Sequence, residues 1–265
     1  MSTNTNQSNT YAADLALAHQ LADAADQITL ARFNALDLII TTKPDNTPVT
    51  DADKAAEEKI RALIKSAHPG DHVIGEEFGG SDEKPIRYWV IDPIDGTKNF
   101  MRGIPTWATL IGLVENGEVV VGVVSSPALF RRWHGAKGSG AFLSINKNLA
   151  TKINVSKVTN LEDASISFSD LTGWGNRLEK FLTLLKKVWR VRAYGDFWSH
   201  MLVAEGAVDI AVEPKLALWD MAALEIIVRE AGGKFSSVDG RSGVFGNSGV
   251  SSNGHLHQKF LDEIK

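Results

Sequence analysis

The stretch YWVIDPIDGTKNF, residues 88–100, decides how the rest of the chain is read. Its first half is a run of aromatic and β-branched residues, the composition of a buried strand. Its second half sets Asp92 and Asp95 close together where that strand ends. Pro93 holds Asp92 extended and Gly96 permits a sharp turn after Asp95, so both carboxylates converge at the strand's end. Two carboxylates held that close cannot both stay ionised without a counter-charge. A divalent cation removes the conflict. A site of carboxylate, carbonyl and water oxygens selects magnesium, manganese or calcium over zinc, and magnesium suits it best. Taken alone, DPIDG is equally the sequence of an Asx-rich turn with a helix cap.

Acids elsewhere in the chain extend the pattern. HVIGEEFGG reads as a short strand ending in Glu76 and Glu77, and LWDMAALEIIVREAGG puts Asp220 ahead of an apolar helix. Each has a simple structural reading by itself, a surface acidic pair for the first and an N-cap for the second. Upstream, Leu15, Ala18, Leu21, Ala22, Ala25 and Ile28 recur at helical spacing and predict a helix over 14–36. The segment TTKPDNTPVTDAD then reads as a loop entering a helix over 52–66. ATLIGLVENGEVVVGVVSSPAL gives two β-branched runs around Asn116-Gly117, a hairpin. Beyond residue 156 strands and helices alternate. The expected organisation is a tail over residues 1–10, an α+β half over 11–155 and an α/β half over 156–265.

Composition narrows the partners. The 265 residues are 43% hydrophobic and carry a formal charge of -4, with no general basic field to draw nucleic acid or an anionic membrane. With no cysteine, disulfides, thiolate metal sites and cysteine nucleophiles are excluded. The N-terminus lacks the basic and apolar pattern of a secretory signal, and no apolar run approaches the roughly 20 residues needed to span a bilayer. The expectation is a cytoplasmic protein.

The segments GEE, WVIDPIDGTKNF and LWDMAALEIIVREAGG, in this order and at these separations, resemble the signature set of the inositol monophosphatase superfamily of magnesium-dependent phosphomonoesterases. The resemblance covers nearly all of the chain after residue 11. It implies an α/β (α+β) fold, the layered αβαβα sandwich of that superfamily. It also implies metal ligands at Glu76, Asp92, Asp95 and Asp220 through their carboxylates and at Ile94 through its backbone oxygen. They would hold two or three magnesium ions, with manganese able to substitute. In the TTKPDNTPVTDAD loop it places the family's lysine at Lys43 and its water-activating aspartate at Asp53, with Thr97 as that aspartate's partner. Glu76 is an alternative proton acceptor, and the N–H groups of Gly96 and Thr97 are phosphate donors if they open a helix. Asp51 reads as a solvated loop charge or a cap.

The second half carries the leaving-group side. Where inositol phosphatases show a small Gly-Thr-Ala-like segment, this chain has Gly195-Asp196-Phe197-Trp198, and Glu213 precedes Asp220 at the family's substrate-facing position. An acid beside aromatics suits a cationic or heteroaromatic alcohol. RAYGDFWSH followed by AVEPKLALWDMAALEIIVREAGG resembles the bacterial histidinol-phosphate phosphatases of the superfamily, which implies a small phosphorylated substrate, histidinol phosphate, in histidine biosynthesis. Asp196 or Glu213 would meet its ammonium. Phe197 and Trp198 are as readily core residues. The alternatives are inositol monophosphate, a sugar phosphate or a phosphoadenosine nucleotide within the superfamily, or a silent metal-binding homologue. His200 and His134 are left out of catalysis, and KGSGAF reads as a turn. The family also implies a homodimer.

Overall fold

The computed structural model describes residues 10–80 and 85–265, so the tail expected over residues 1–10 lies outside the described residues apart from Thr10. In chain order the first half contains α1 (Ala12–Arg32), β1 (Ile40–Thr42), β2 (Pro48–Thr50), α2 (Asp51–Ala67), β3 (His72–Gly75) and β4 (Arg87–Asp95). It continues with α3 (Thr97–Met101), β5 (Ala108–Glu115), β6 (Glu118–Ser126), β7 (Arg131–Ala136), β8 (Gly140–Ile145) and β9 (Thr151–Ile153). The second half contains β10 (Ser165–Phe168), α4 (Leu178–Leu185), β11 (Arg190–Arg192), α5 (Asp196–Ala204) and β12 (Ile210–Glu213). After these come α6 (Leu218–Glu230), β13 (Lys234–Ser236), β14 (Gly249–Ser252) and α7 (His257–Ile264).

Local chemistry sets these bounds. At the start of α2, Thr50 is the N-cap, accepting from the N–H groups of Ala52 and Asp53, while Asp53 reaches back to the Thr50 N–H in a capping box. The expected hairpin turns at Asn116 (φ 53°) and Gly117 (φ 77°), both left-handed as a tight turn between right-twisted strands requires. Helix α1 stops at Arg32, short of the expected residue 36, because Phe33 is extended and Asn34 takes a left-handed φ of 63°. Helix α5 begins at Asp196, and α6 begins at Leu218, so that Asp220, expected ahead of that helix, lies within its first turn.

Strands β1 and β2 pair as a two-stranded antiparallel sheet, and the two main sheets are built differently. Strands β3 to β9 form one seven-stranded sheet in chain order, parallel only between β3 and β4. The other is five-stranded in the order β11-β10-β12-β14-β13. Helices α1 and α2 bury Leu17, Leu21, Ile60 and Ile64 against Trp89, Ile91, Leu113 and Val121 on one face of the larger sheet. Helices α5 and α6 fill the space between the sheets, where Phe197, Met201, Ile226 and Ile227 join Trp133 and Phe235 in one core. Helices α4 and α7 cover the far face of the smaller sheet with Phe181, Leu184, Phe260 and Ile264. The result is the αβαβα sandwich. The boundary expected near 150–160 falls between β9 and β10, where one sheet gives way to the other, while α6 packs on strands of both. Among the described residues no helix is long and apolar enough to cross a membrane.

Helix α6 packs closely on the larger sheet where glycines face it. Gly112, Gly122 and Gly135 stand side by side on β5, β6 and β7. A Cβ on Gly122 would sit 2.4 Å from Ile226 Cγ2 and 2.7 Å from the Ala223 carbonyl oxygen. That close approach carries the N-terminus of α6, and Asp220 with it, to the end of β4.

Candidate active site

Strand β4 pairs regularly with β5 from Arg87 to Asp92 and then slips register before Asp95. Thr109 Oγ1 donates to the Pro93 carbonyl at 2.8 Å, and the Ile94 N–H donates to Asp92 Oδ1 at 2.9 Å. The Asx turn and the converging acids are therefore the same structure. Asp95 Oδ2 accepts the Phe197 N–H at 2.8 Å from the start of α5. Asp220 sits at the third position of α6, and its Oδ2 accepts the N–H of the cap residue Ala217 at 2.7 Å.

These three turns bring a carboxylate oxygen from each of Asp92, Asp95 and Asp220 within 4.8 Å of one another. No lysine, arginine or histidine ion-pairs with them among the described residues. Burial, and then the charge of Glu76, pushes Asp92 well above the usual carboxylate range. Burial, and then Asp196, does the same to Asp95, and burial raises Asp220 to about 7. Two ionised carboxylates about 4 Å apart repel by roughly 4 kcal/mol even at an effective dielectric near 20. An all-oxygen donor set so crowded and so short of positive charge fits a hard divalent cation.

Glu76 stands beside this group rather than within it. Its charge reaches Asp92 and Asp220, but its Oε1 is 2.7 Å from Lys43 Nζ, which is also 2.7 Å from Glu77 Oε1. Lys43, expected as the family's loop lysine, is thus the counter-ion of two glutamates here. Burial works against its charge, and the hydrogen bonds to Glu76 and Glu77 outweigh that and raise its pKa. Burial lifts Glu77 to about 7.

Asp53, fully buried, meets the cluster from α2. Its Oδ2 accepts from the N–H and hydroxyl of Thr50, and its Oδ1 lies 3.4 Å from Thr97 Oγ1, which is 3.1 Å from the Ile94 carbonyl oxygen. Burial raises Asp53 to about 6. Gly96 takes a left-handed φ of 85° and leads directly into α3, whose first residue is Thr97. Asp51 pairs with Arg32 at 2.8 Å at the mouth of α2.

From the other half, Asp196 and Glu213 approach the same acids. Asp196 holds a left-handed φ of 49°, its N–H donating to Ser169 Oγ at 2.9 Å and its Oδ2 accepting from Asn99 Nδ2 at 3.0 Å. Burial, and next the charge of Glu213, lifts it to about 6. Glu213 closes β12, is 7% exposed, and adds its charge to those acting on Asp95 and Asp220. Phe197 is a core residue, its ring 6.0 Å from that of Trp133, and Trp198 leans on Tyr194 at 5.5 Å. His134 lies apart, stacked on Phe142 at 5.4 Å. Sequence reading missed Asn99 and Ser169, which fix Asp196. Their partners are 97 and 27 positions away, and no local pattern marks them.

The chain is similar to known proteins over nearly its whole length. A sequence profile described as the inositol monophosphatase family matches residues 10–265. The histidinol-phosphatase of Mycobacterium tuberculosis is 56% identical over 253 residues, covering 95% of this chain and 97% of that protein. The histidinol-phosphatase of Streptomyces coelicolor is 56% identical over 257 residues, covering 95% and 96%. Among solved structures, the IMPase of Thermotoga maritima superposes with a TM-score of 0.85 at 30% identity, over 95% of this chain and 96% of that one.

Proposed function

The chain belongs to the inositol monophosphatase family, and from that membership we propose a magnesium-dependent phosphoric monoester hydrolase that splits L-histidinol phosphate into L-histidinol and phosphate. The observation that carries this reading is the second negative pole beside the first. Asp92, Asp95 and Asp220 suit a cation that meets the phosphate, while Asp196, half-buried, and Glu213, buried, act on the same acids and suit a cationic alcohol. A neutral polyol can donate hydroxyl hydrogen bonds to carboxylates but brings no positive charge to offset two further ones. The relatives named histidinol-phosphatase support the same substrate.

Magnesium would be held by Asp92, Asp95 and Asp220, with Glu76 and the Ile94 carbonyl beside them, and would supply Lewis acidity toward the phosphoryl group and a lowered pKa for water. The protein's own residues do the rest. Thr97 Oγ1 has one hydrogen and two acceptors within reach, Ile94 O and Asp53 Oδ1. A water hydrogen-bonded to Thr97 can pass a proton through that hydroxyl to Asp53 as its oxygen bonds to phosphorus and the P–O bond to the alcohol breaks, the departing alkoxide taking its proton from solvent water. Asp53 can take the proton because its other oxygen is fixed by Thr50. The N–H groups of Gly96 and Thr97, at the start of α3, would donate to phosphate oxygens. Lys43, now on Glu76 and Glu77, would be freed to meet phosphate when a cation takes over the charge of Glu76. Asp196 and Glu213 hold the substrate's ammonium, leaving the imidazole near Trp198.

Phosphate release from histidinol phosphate and from inositol 1-phosphate, each with magnesium and with chelator, tests the reading. Magnesium-dependent release with a large preference for histidinol phosphate is expected. A preference for inositol 1-phosphate, or release that survives chelation, overturns it. The role in histidine biosynthesis, the cytoplasmic location and the homodimer belong to the same proposal, and sedimentation as a monomer would remove the last.

A further inference from the structure

His200 is fully buried in α5, yet its ring is not simply packed. Nδ1 lies 2.7 Å from Ser251 Oγ on β14, and Nε2 faces Glu213 Oε1 on β12 at 3.5 Å. These strands are antiparallel neighbours, with Ala211 opposite Ser251 and Glu213 opposite Gly249, so the imidazole lies across both. Nε2 of His200 and Oε1 of Glu213 are both buried, and neither has a hydrogen-bond partner among the described residues. Each is the polar group placed to satisfy the other.

The chemistry of the three groups fixes the direction of that contact. An ionised carboxylate only accepts, so Nε2 must carry a hydrogen. With a neutral ring Nδ1 then accepts from the Ser251 hydroxyl, and with a charged ring it donates to it; Nε2–H meets Glu213 in both cases. Pairs of this kind are often long before substrate arrives and tighten in the complex. We propose that His200 is a positioning residue: oriented by Ser251, it pins Oε1 of Glu213 and so presents Oε2 to the ammonium of the substrate. The proposal rests on the histidinol phosphate reading and adds the device that sets its specificity.

The test uses the amide side chains that mimic one ring nitrogen each. His200→Gln keeps a donor near the Nε2 position, whereas His200→Asn keeps one only near Nδ1. His200→Asn should lower kcat/KM for histidinol phosphate about tenfold through KM, the loss expected for one hydrogen bond to a charged group. Its kcat/KM for p-nitrophenyl phosphate, which has no ammonium, should stay within about twofold. His200→Gln should recover most of the loss. In a Glu213→Gln background His200→Asn should add nothing to the loss of discrimination, because the two act as one unit. If His200→Asn does not fold, Ser251→Ala should show a smaller loss confined to the same substrate. A parallel fall for both substrates, or additive effects in the double variant, assigns His200 to the core alone and overturns the proposal. Wild-type protein that fails to hydrolyse histidinol phosphate sinks the substrate reading, whereas wild-type turnover with an unaffected His200→Asn sinks only the role of His200.

Discussion

The backbone N–H of Phe197 donates to Asp95 Oδ2 at 2.8 Å, tying the first turn of α5 to the end of β4 across 102 positions of sequence. One carboxylate oxygen thus anchors a helix from the other half, and the other makes no hydrogen bond among the described residues. The two jobs can be separated. Asp95→Asn keeps an oxygen for Phe197 but loses the charge, whereas Asp95→Ala loses both. Turnover of histidinol phosphate should fall at least about 100- to 1,000-fold in each. In chelator, urea unfolding should find the alanine variant less stable than the asparagine variant by about 1–2 kcal/mol, the worth of a helix-start acceptor. An Asp95→Asn enzyme with undiminished, magnesium-dependent turnover would remove Asp95 from the metal site.

Thr97 offers a cleaner test of proton transfer because valine nearly matches its shape. Its hydroxyl bridges Ile94 O at 3.1 Å and Asp53 Oδ1 at 3.4 Å. Thr97→Val should lower kcat by about 100- to 10,000-fold, the range for a lost general acid–base contact, with KM changed only a few-fold. Steady-state kinetics at saturating magnesium decide it, and an unchanged kcat would leave Asp53 without its relay.

How much of this was legible in the sequence depended on distance along the chain. The Asn116-Gly117 hairpin, the Thr50–Asp53 capping box and the turn that converges Asp92 and Asp95 are local, and residue types a few positions apart determine them. Asp220 shows the limit. A helix-start role was the simple reading, and Asp220 does accept the Ala217 N–H, but as the third residue of α6 rather than as its cap. Its approach to Asp92 depends on how near α6 lies to the sheet, which no window around Asp220 encodes; the family resemblance pointed there. The contacts of Lys43 with Glu76 and Glu77, of Asn99 with Asp196 and of His200 with Glu213 span 33, 34, 97 and 13 positions, and they follow from packing alone.

Acid should weaken the fold through histidines far from the acidic site. His257 is buried between Ser236 Oγ at 2.8 Å and Ser252 Oγ at 2.9 Å, a cradle that suits a neutral ring. Burial, helped by Lys234, pushes its pKa from 6.5 down to about 4. The unfolded chain therefore takes up a proton that the folded chain refuses as pH falls below about 6.5, and stability declines until the folded pKa near 4 is passed. The loss from this group should approach roughly 1–3 kcal/mol. Urea midpoints from pH 7 to 4.5 for wild type and His257→Gln isolate it, because the carboxylates titrate alike in both. The stability difference between them should shift against wild type as pH falls, and parallel curves would show that His257 accepts its proton while folded.

Gly122 and Gly135 face each other across β6 and β7, yet alanine should be tolerated at only one of them. A Cβ on Gly135 meets nothing nearer than 3.5 Å, an ordinary contact. On Gly122 it would lie 2.7 Å from the Ala223 carbonyl oxygen, backbone that can yield only if α6 moves. Overpacking of this kind costs about 1–3 kcal/mol, and here the strain falls on the helix that carries Asp220. Gly122→Ala should therefore melt lower and also bind magnesium more weakly by calorimetry, while Gly135→Ala matches wild type in both. If Gly122→Ala lost stability but kept full magnesium affinity, the sheet would absorb the methyl group without displacing α6, and the glycine row would matter for packing but not for the geometry of the site.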